Sequence, residues 1–195
     1  MEHIYNIAKF VHVISFVFMS IPLFNLIIVN ERALMGPSLK YETDRYFENI
    51  IKRGAIRCFV FQWSVFISGV IILTLGPGII AIWTNWVLTV KTLILLLLMI
   101  LLSYVHFSIQ PKIEKLLLSL SPGQPAPEDL SVKLAPFRIQ RKKLATLCLF
   151  LVITAIIFGV QTYNRFHPFV SISLIFLAAG FSHRANKSLI RFGWF

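Results

Sequence analysis

The amino-acid sequence predicts an all-α integral membrane protein, a bundle of five transmembrane helices in a single domain of residues 1–195. Hydrophobic residues make up 57% of the 195-residue chain, more than the roughly 45–50% apolar content of soluble domains. Five apolar runs approach or exceed the roughly 20 residues that an α-helix needs to cross a bilayer. The segments between those runs alternate between many and few Lys and Arg residues. A chain of this length suits one compact bundle with no second soluble domain.

The apolar runs and the residues that end them predict the position of each span. The spans cover residues 5–29, 58–80, 86–110, 144–160 and 168–183. The first run lacks a basic leader and a small-residue cleavage pattern, so we expect a retained helix. Gly76-Pro77-Gly78 is a stop signal at the end of the second run, and Pro111 is expected to close the third. The fifth run is short, so it tilts little or continues beyond residue 183.

The segments between the spans contain no recognisable enzymatic machinery. Residues 31–57 mix acidic and basic side chains and predict a cytoplasmic helix with a solvated face, whereas residues 121–127 form a proline-rich linker. The sequence contains no phosphate-binding Gly-rich loop, no Cys-x-x-Cys pair and no Ser/His/Asp set. Cys58 and Cys148 are expected to be reduced thiols or small core residues, with a two-cysteine metal site as the less favoured alternative.

The basic residues of the connecting segments predict the orientation of the bundle. These segments contain six, zero, seven, one and three Lys or Arg residues in chain order. Because cytoplasmic loops carry the excess of Lys and Arg, the N-terminus should lie outside and the C-terminus in the cytoplasm. The expected membrane is a bacterial-type inner membrane. This placement also accounts for the net charge of +11, so the charge does not indicate nucleic-acid binding. The lipid bilayer is the expected partner.

Four ionisable residues fall inside the predicted spans and are therefore candidates for a functional site. They are His12, Lys91, His106 and His183. At a rise of about 1.5 Å per residue, His12 lies about 10 Å and Lys91 about 8 Å from the outer ends of their spans. His106 and His183 lie towards the cytoplasmic ends instead. One iron should therefore not bind both His12 and His106.

These depths predict two separate pairs of side chains. His12 would meet Lys91, or else His167 of an outer turn, and His106 would meet His183. A simpler interpretation stands beside each pairing. His106 and His183 could meet water or lipid headgroups at the interface, and Lys91 could extend its charge to the outer headgroups. His12 has no obvious route to water, so it indicates a function more strongly than the others do.

The residues around His12 and Lys91 resemble a known family. The first span reads Lys9-Phe-Val-His12-Val-Ile-Ser-Phe-Val-Phe, and the third reads Trp86-Val-Leu-Thr-Val-Lys91 and later Tyr104-Val-His106. This pattern is similar to the superfamily that joins the membrane domain of bacterial copper-resistance protein D to the J-type membrane protoporphyrinogen oxidase of haem synthesis. The similarity covers residues 5–160. In the haem-synthesis branch, the early histidine and the lysine are linked to a b-type haem.

The resemblance implies a membrane protein that holds haem b for electron transfer or for a haem-linked oxidation. His12 would be the axial ligand, and Lys91 would contact a propionate or ligate the iron. A second haem between His106 and His183 would extend this arrangement into an electron path across the membrane. A redox partner or other membrane subunits would complete such a path.

Two other functions also fit the sequence. Copper handling would use His3, His12 and Met19. The N-terminal amine, two amides and the His3 imidazole can bind Cu(II) in a square plane, and a thioether suits Cu(I). A non-catalytic subunit of a larger membrane complex is the second alternative, because a bundle whose helices satisfy their own backbone hydrogen bonds needs no cofactor to be stable.

Reporter fusions at the two ends test the predicted orientation. A reporter that works only in the cytoplasm should be active when fused after Phe195, because basic segments remain inside. A reporter that works only outside the cytoplasm should be active when fused before Met1. A fusion truncated at Lys40 is the internal control and should behave like the C-terminal fusion. A cytoplasmic signal at the N-terminus would show that the orientation is wrong.

Overall fold

The computed structural model describes residues 2–36, 38–118, 120–121, 127–162 and 166–187. Helices and turns account for all regular structure in these ranges, which contain no strand. Five helical segments in them are long and apolar enough to cross a membrane. This confirms the predicted all-α, multi-pass architecture.

The helices follow the predicted spans but are divided and extended differently. In chain order they are α1 (Glu2–Phe18), α2 (Ile21–Leu34), α3 (Tyr41–Leu75), α4 (Ala81–Thr84), α5 (Trp86–Tyr104), a π-helix (Val105–Ile109), α6 (Gln110–Leu117), α7 (Glu128–Gln161) and α8 (Pro168–Lys187). α3 and α7 contain 35 and 34 residues. At about 1.5 Å per residue, each is far longer than the apolar core of a bilayer, which is about 30 Å thick.

The first span is interrupted near its middle. α1 ends at Phe18 and α2 begins at Ile21, and Met19 and Ser20 form a turn between them. Pro22 lies in the first turn of α2, where its missing N–H costs no intrahelical hydrogen bond. Met19 is buried at this break. The break therefore packs into the bundle instead of facing the surface.

The sequence predicted a separate solvated helix in segment 31–57, and the structure does not contain one. Most of it is the N-terminal half of α3, which continues into the second span without interruption. α2 ends at Leu34, and Gly36 follows with a positive φ of 86° that favours glycine. We use the term polar end for the end of the bundle formed by the C-terminus of α2, the N-terminal halves of α3 and α7, and α6.

The third span continues past Pro111, contrary to the sequence prediction. α5 passes directly into the π-helix Val105–Ile109, and α6 then runs to Leu117 with Pro111 in its first turn. The backbone N–H of Gln110 donates to the carbonyl of Val105 in the wider π pattern. The π-turn lies directly before Pro111. In a regular α-helix, this proline would lack an N–H to donate and its ring would clash with the preceding turn.

Two glycines of α3 and a third directly after its last residue allow the N-terminal helices to approach this backbone closely. Gly54, Gly69 and Gly76 face Asn25, His12 and Tyr5, respectively. A Cβ added at Gly54 would lie 3.1 Å from Asn25 Oδ1, and one added at Gly69 would lie 3.3 Å from His12 Cε1. Small residues serve this purpose where membrane helices pack. The order of these contacts shows that α1 and α2 run antiparallel to α3.

Two apolar clusters hold the rest of the bundle together. One cluster joins the spans through buried side chains that include Met19, Val65, Leu98 and Val152. The other packs α6 against the N-terminal half of α7 at the polar end and includes Ile109, Ile113, Leu117, Leu130 and Leu134. The polar end is therefore folded around its own small core.

Filling the glycine position beside His12 tests the close contact between α1 and α3. We expect Gly69→Val to destabilise the protein by about 1–3 kcal/mol, because the added methyl groups overpack the contact. Gly180→Val in α8 is the matched control, since an added Cβ at Gly180 meets nothing within 4 Å. Thermal unfolding in detergent, followed by circular dichroism, measures both. Equal effects would contradict the packing described for Gly69.

Candidate functional site

His12 is held against the backbone of α3 by hydrogen bonds. Its Nδ1 lies 3.0 Å from the carbonyl oxygen of Val65 and 3.1 Å from Ser68 Oγ. Because a carbonyl can only accept, Nδ1 carries the proton and donates. In a neutral imidazole this leaves the lone pair on Nε2. Gly69 makes the contact possible, because it presents no side chain to the ring.

Lys91 lies near His12 and extends towards α7. A Cβ built at Gly159 of α7 would lie 3.7 Å from Lys91 Nζ. Lys91 also lies within electrostatic range of His12. Lys91 is partly buried, and no carboxylate forms an ion pair with it in the described ranges. The structure therefore places His12 and an unneutralised cation in one region of the bundle.

His106 occupies a different site, within the π-helix. Its ring packs edge-on against Phe59 at a centroid distance of 5.5 Å, and against Phe107 at 5.0 Å. Its Nδ1 is buried and has no hydrogen-bond partner among the described residues. π-turns within α-helices often occur at functional sites. Pro111, which follows this π-turn, is the one sequence feature that could have indicated it.

A cavity of about 50 Å³ adjoins His106. Asn25, Cys58, Cys148 and Arg141 contribute to its lining. Both cysteines are free and buried, in agreement with their interpretation as reduced, core-like thiols. A cavity of this size and polarity can hold one or a few water molecules.

The remaining predicted site residues do not cluster. His183 is exposed on α8, which packs against α7 and α2, and the ring contacts of His106 in the described ranges are with Phe59 and Phe107, not with His183. His167 is exposed and stacks on Phe169 at a centroid distance of 5.5 Å. No group of three His, Cys, Asp or Glu side chains that could hold a metal ion occurs in the described part of the chain.

The ligands considered for copper are also spread out. His3 is exposed in the first turn of α1, and the Met1 amine that a square-planar site needs lies outside the described residues. Met19 is buried in the central apolar cluster. It follows His12 by seven positions, which is about 10 Å along a helix. Copper binding by His3, His12 and Met19 therefore stays a prediction from the sequence.

The most extensive polar cluster lies at the polar end, and the sequence analysis missed it. Asp44 is completely buried and accepts hydrogen bonds from Arg32 Nε at 3.0 Å and from Arg138 Nη2 at 2.8 Å. Glu48 binds Arg141 through both carboxylate oxygens and also accepts from Gln110. These contacts connect α2, α3, α6 and α7. We call the set the buried ion-pair network: Arg32, Asp44, Glu48, Gln110, Arg138 and Arg141.

The network keeps its two carboxylates ionised. Both lie well before residue 58, where the apolar part of α3 begins. Burial alone would raise the pKa of Asp44, but the hydrogen bonds from Arg32, Lys40 and Arg138 outweigh burial and hold that pKa below its ordinary value. Glu48 behaves in the same way, with Arg141 as its main partner. Sequence spacing offered a signal, since Asp44 and Glu48 are four residues apart on one helical face.

Comparison with known proteins adds no relative to this description. No family model matches the chain, and no match was found among curated proteins or solved structures.

Removing one side of the buried ion-pair network tests its contribution to stability. We expect Arg141→Met to cost about 3–5 kcal/mol, because it leaves the buried Glu48 without its two-point partner. The double variant Glu48→Leu/Arg141→Met should regain most of this loss. Lys52→Ala is the control, since its ion pair with Glu114 is exposed and worth about 0–1 kcal/mol. If Arg141→Met unfolds no more easily than Lys52→Ala in detergent, the network is not a stabilising element.

Proposed function

We propose that this chain is an integral membrane b-type haem protein that serves electron transfer or a haem-linked oxidation, with His12 as an axial ligand. One observation carries the proposal: His12 Nδ1 donates to the Val65 carbonyl, so its Nε2 is free to ligate. Histidines that bind metals commonly have their other nitrogen fixed in this way. The hydrogen bond selects the tautomer and orients the ring before any ligand arrives.

Lys91 provides the second element of the fit. A partly buried ammonium without a carboxylate partner is costly inside a bilayer, and a haem propionate would supply the missing negative charge. The proposal needs only one or two axial ligands, so it does not depend on a three-residue metal cluster. The resemblance of the segments around His12 and Lys91 to a haem-linked superfamily points in the same direction.

The chain's own residues would position the group and shield it from water. The bound haem would supply one-electron redox chemistry. His12, held by Val65 and Ser68, would fix the height of the group in the bundle. The Phe16 ring, 6.1 Å from the His12 ring between centroids, would contribute an apolar wall. Such a wall limits access of solvent and so helps to set a redox potential.

The proposal also assigns the membrane and the face. The alternation of basic residues supports a bacterial-type inner membrane with the N-terminus outside, which would place His12 and Lys91 near the outer surface. The proposal is limited to one haem, bound at His12, and a second haem between His106 and His183 stays a prediction from the sequence.

An optical spectrum of the purified protein with quantified iron tests the proposal. The wild-type protein should show a Soret band, and His12→Ala should abolish or strongly reduce it because the axial ligand is lost. Lys91→Met should weaken retention of haem during purification without removing the axial ligand. The exposed His167→Ala is the matched control and should retain the full band.

Circular dichroism of each variant separates loss of haem from loss of fold. If the wild-type protein shows no haem absorbance and no iron, the haem function is wrong. The alternative, a non-catalytic accessory subunit of a membrane complex, would then be the better explanation of the chain. If haem is present but His12→Ala retains all of it, the assignment of the ligand is wrong.

A further inference from the structure

A second and larger cavity lies at the polar end, between α2, α3 and α7. It has a volume of about 310 Å³. Part of its wall is apolar and includes Ile28, Val29 and Phe47. The charged side chains of the wall are Arg32, Glu48, Arg138, Arg141 and Lys142. Four cations therefore face one carboxylate among the described residues that line this cavity.

The charges around the cavity do not balance. Within the buried ion-pair network, three arginines share two carboxylates, and Asp44 is the carboxylate that does not line the cavity. Lys142 adds a fourth cation and has no ion-pair partner in the described ranges. An excess of positive charge in a partly buried site is costly unless an anion compensates for it.

Two of the arginines that line the cavity each carry an unused hydrogen-bond donor. The Nε atoms of Arg138 and Arg141 are buried and have no hydrogen-bond partner among the described residues. Arg141 is only 5% exposed. Buried donors of this kind are normally satisfied. A ligand with several acceptor oxygens would satisfy both donors and the charge at once.

We propose that this cavity binds a phosphate group, carried either by an anionic lipid headgroup or by a soluble phosphate compound. Guanidinium groups recognise phosphate oxygens through charge-assisted hydrogen bonds. Lys142 precedes the predicted start of the fourth span by two residues, so the cavity lies at the level of the lipid headgroups. Basic pockets between membrane helices bind headgroups of this kind. The apolar wall suits the glycerol and the first methylene groups of a lipid.

The proposal is independent of haem, because no residue of this cavity belongs to the His12 and Lys91 region. It is tested with full-length protein in nanodiscs of phosphatidylcholine, with and without phosphatidylglycerol. A third preparation contains phosphatidylcholine with added inorganic phosphate at matched ionic strength. Thermal unfolding reports stabilisation, and mass spectrometry of the intact protein reports lipids that remain bound.

Two neighbouring lysines provide a matched pair of variants. Lys142→Gln removes a cation that lines the cavity, and Lys143→Gln removes the same charge from an exposed position outside the lining. We expect Lys142→Gln to weaken the retention of phosphatidylglycerol about fivefold, as for one basic residue close to a headgroup. Lys143→Gln should have a much smaller effect.

The outcomes distinguish the sources of phosphate and can overturn the site. Stabilisation by phosphatidylglycerol alone supports a lipid headgroup, and stabilisation by inorganic phosphate in phosphatidylcholine supports a soluble compound. If neither preparation stabilises the wild-type protein, the proposal is wrong. Equal losses in Lys142→Gln and Lys143→Gln would show general surface attraction and would also overturn it.

Discussion

The buried ion-pair network at the polar end is the interaction on which the rest of the structure depends. Membrane helices are not driven together by the hydrophobic effect, because lipid is as apolar as their side chains. Their register must therefore come from close packing and from polar contacts. Asp44 and Glu48 bind arginines from α2 and α7, and Gln110 adds α6. Once these contacts form, the vertical positions of four helices are fixed relative to one another.

The glycine contacts of α3 extend this register along the first span. Asn25, His12 and Tyr5 meet three glycines in order, from the polar end to the opposite end. His12 can reach the Val65 carbonyl because α1 lies at the height that these contacts set. The candidate haem ligand is thus oriented by helix packing, and the same packing leaves its Nε2 unbound. A network about 32 Å away along α3, from Glu48 to Gly69 at 1.5 Å per residue, contributes to this position.

The two ends of the bundle suit different tasks. Near His12, the polar contacts of the imidazole are those to Val65 and Ser68, and the Phe16 ring lies beside it. At the polar end, cations outnumber carboxylates and enclose a cavity of about 310 Å³. The π-helix lies between these regions and places His106 beside a smaller cavity with two thiols. Exposed aromatic residues such as Trp83, Phe107 and Phe176 show that much of the outer surface suits lipid.

The sequence by itself determined the membrane class, the five spans and the separation of His12 from His106. These follow from apolar length and from the constant rise of a helix, which are local properties. The sequence did not reveal that residues 41–57 continue into the second span or that the helix passes Pro111. It also did not pair Asp44 with Arg138, which lies 94 positions later. Only the tertiary structure decided these features, because burial of a charge depends on which distant helix arrives to neutralise it.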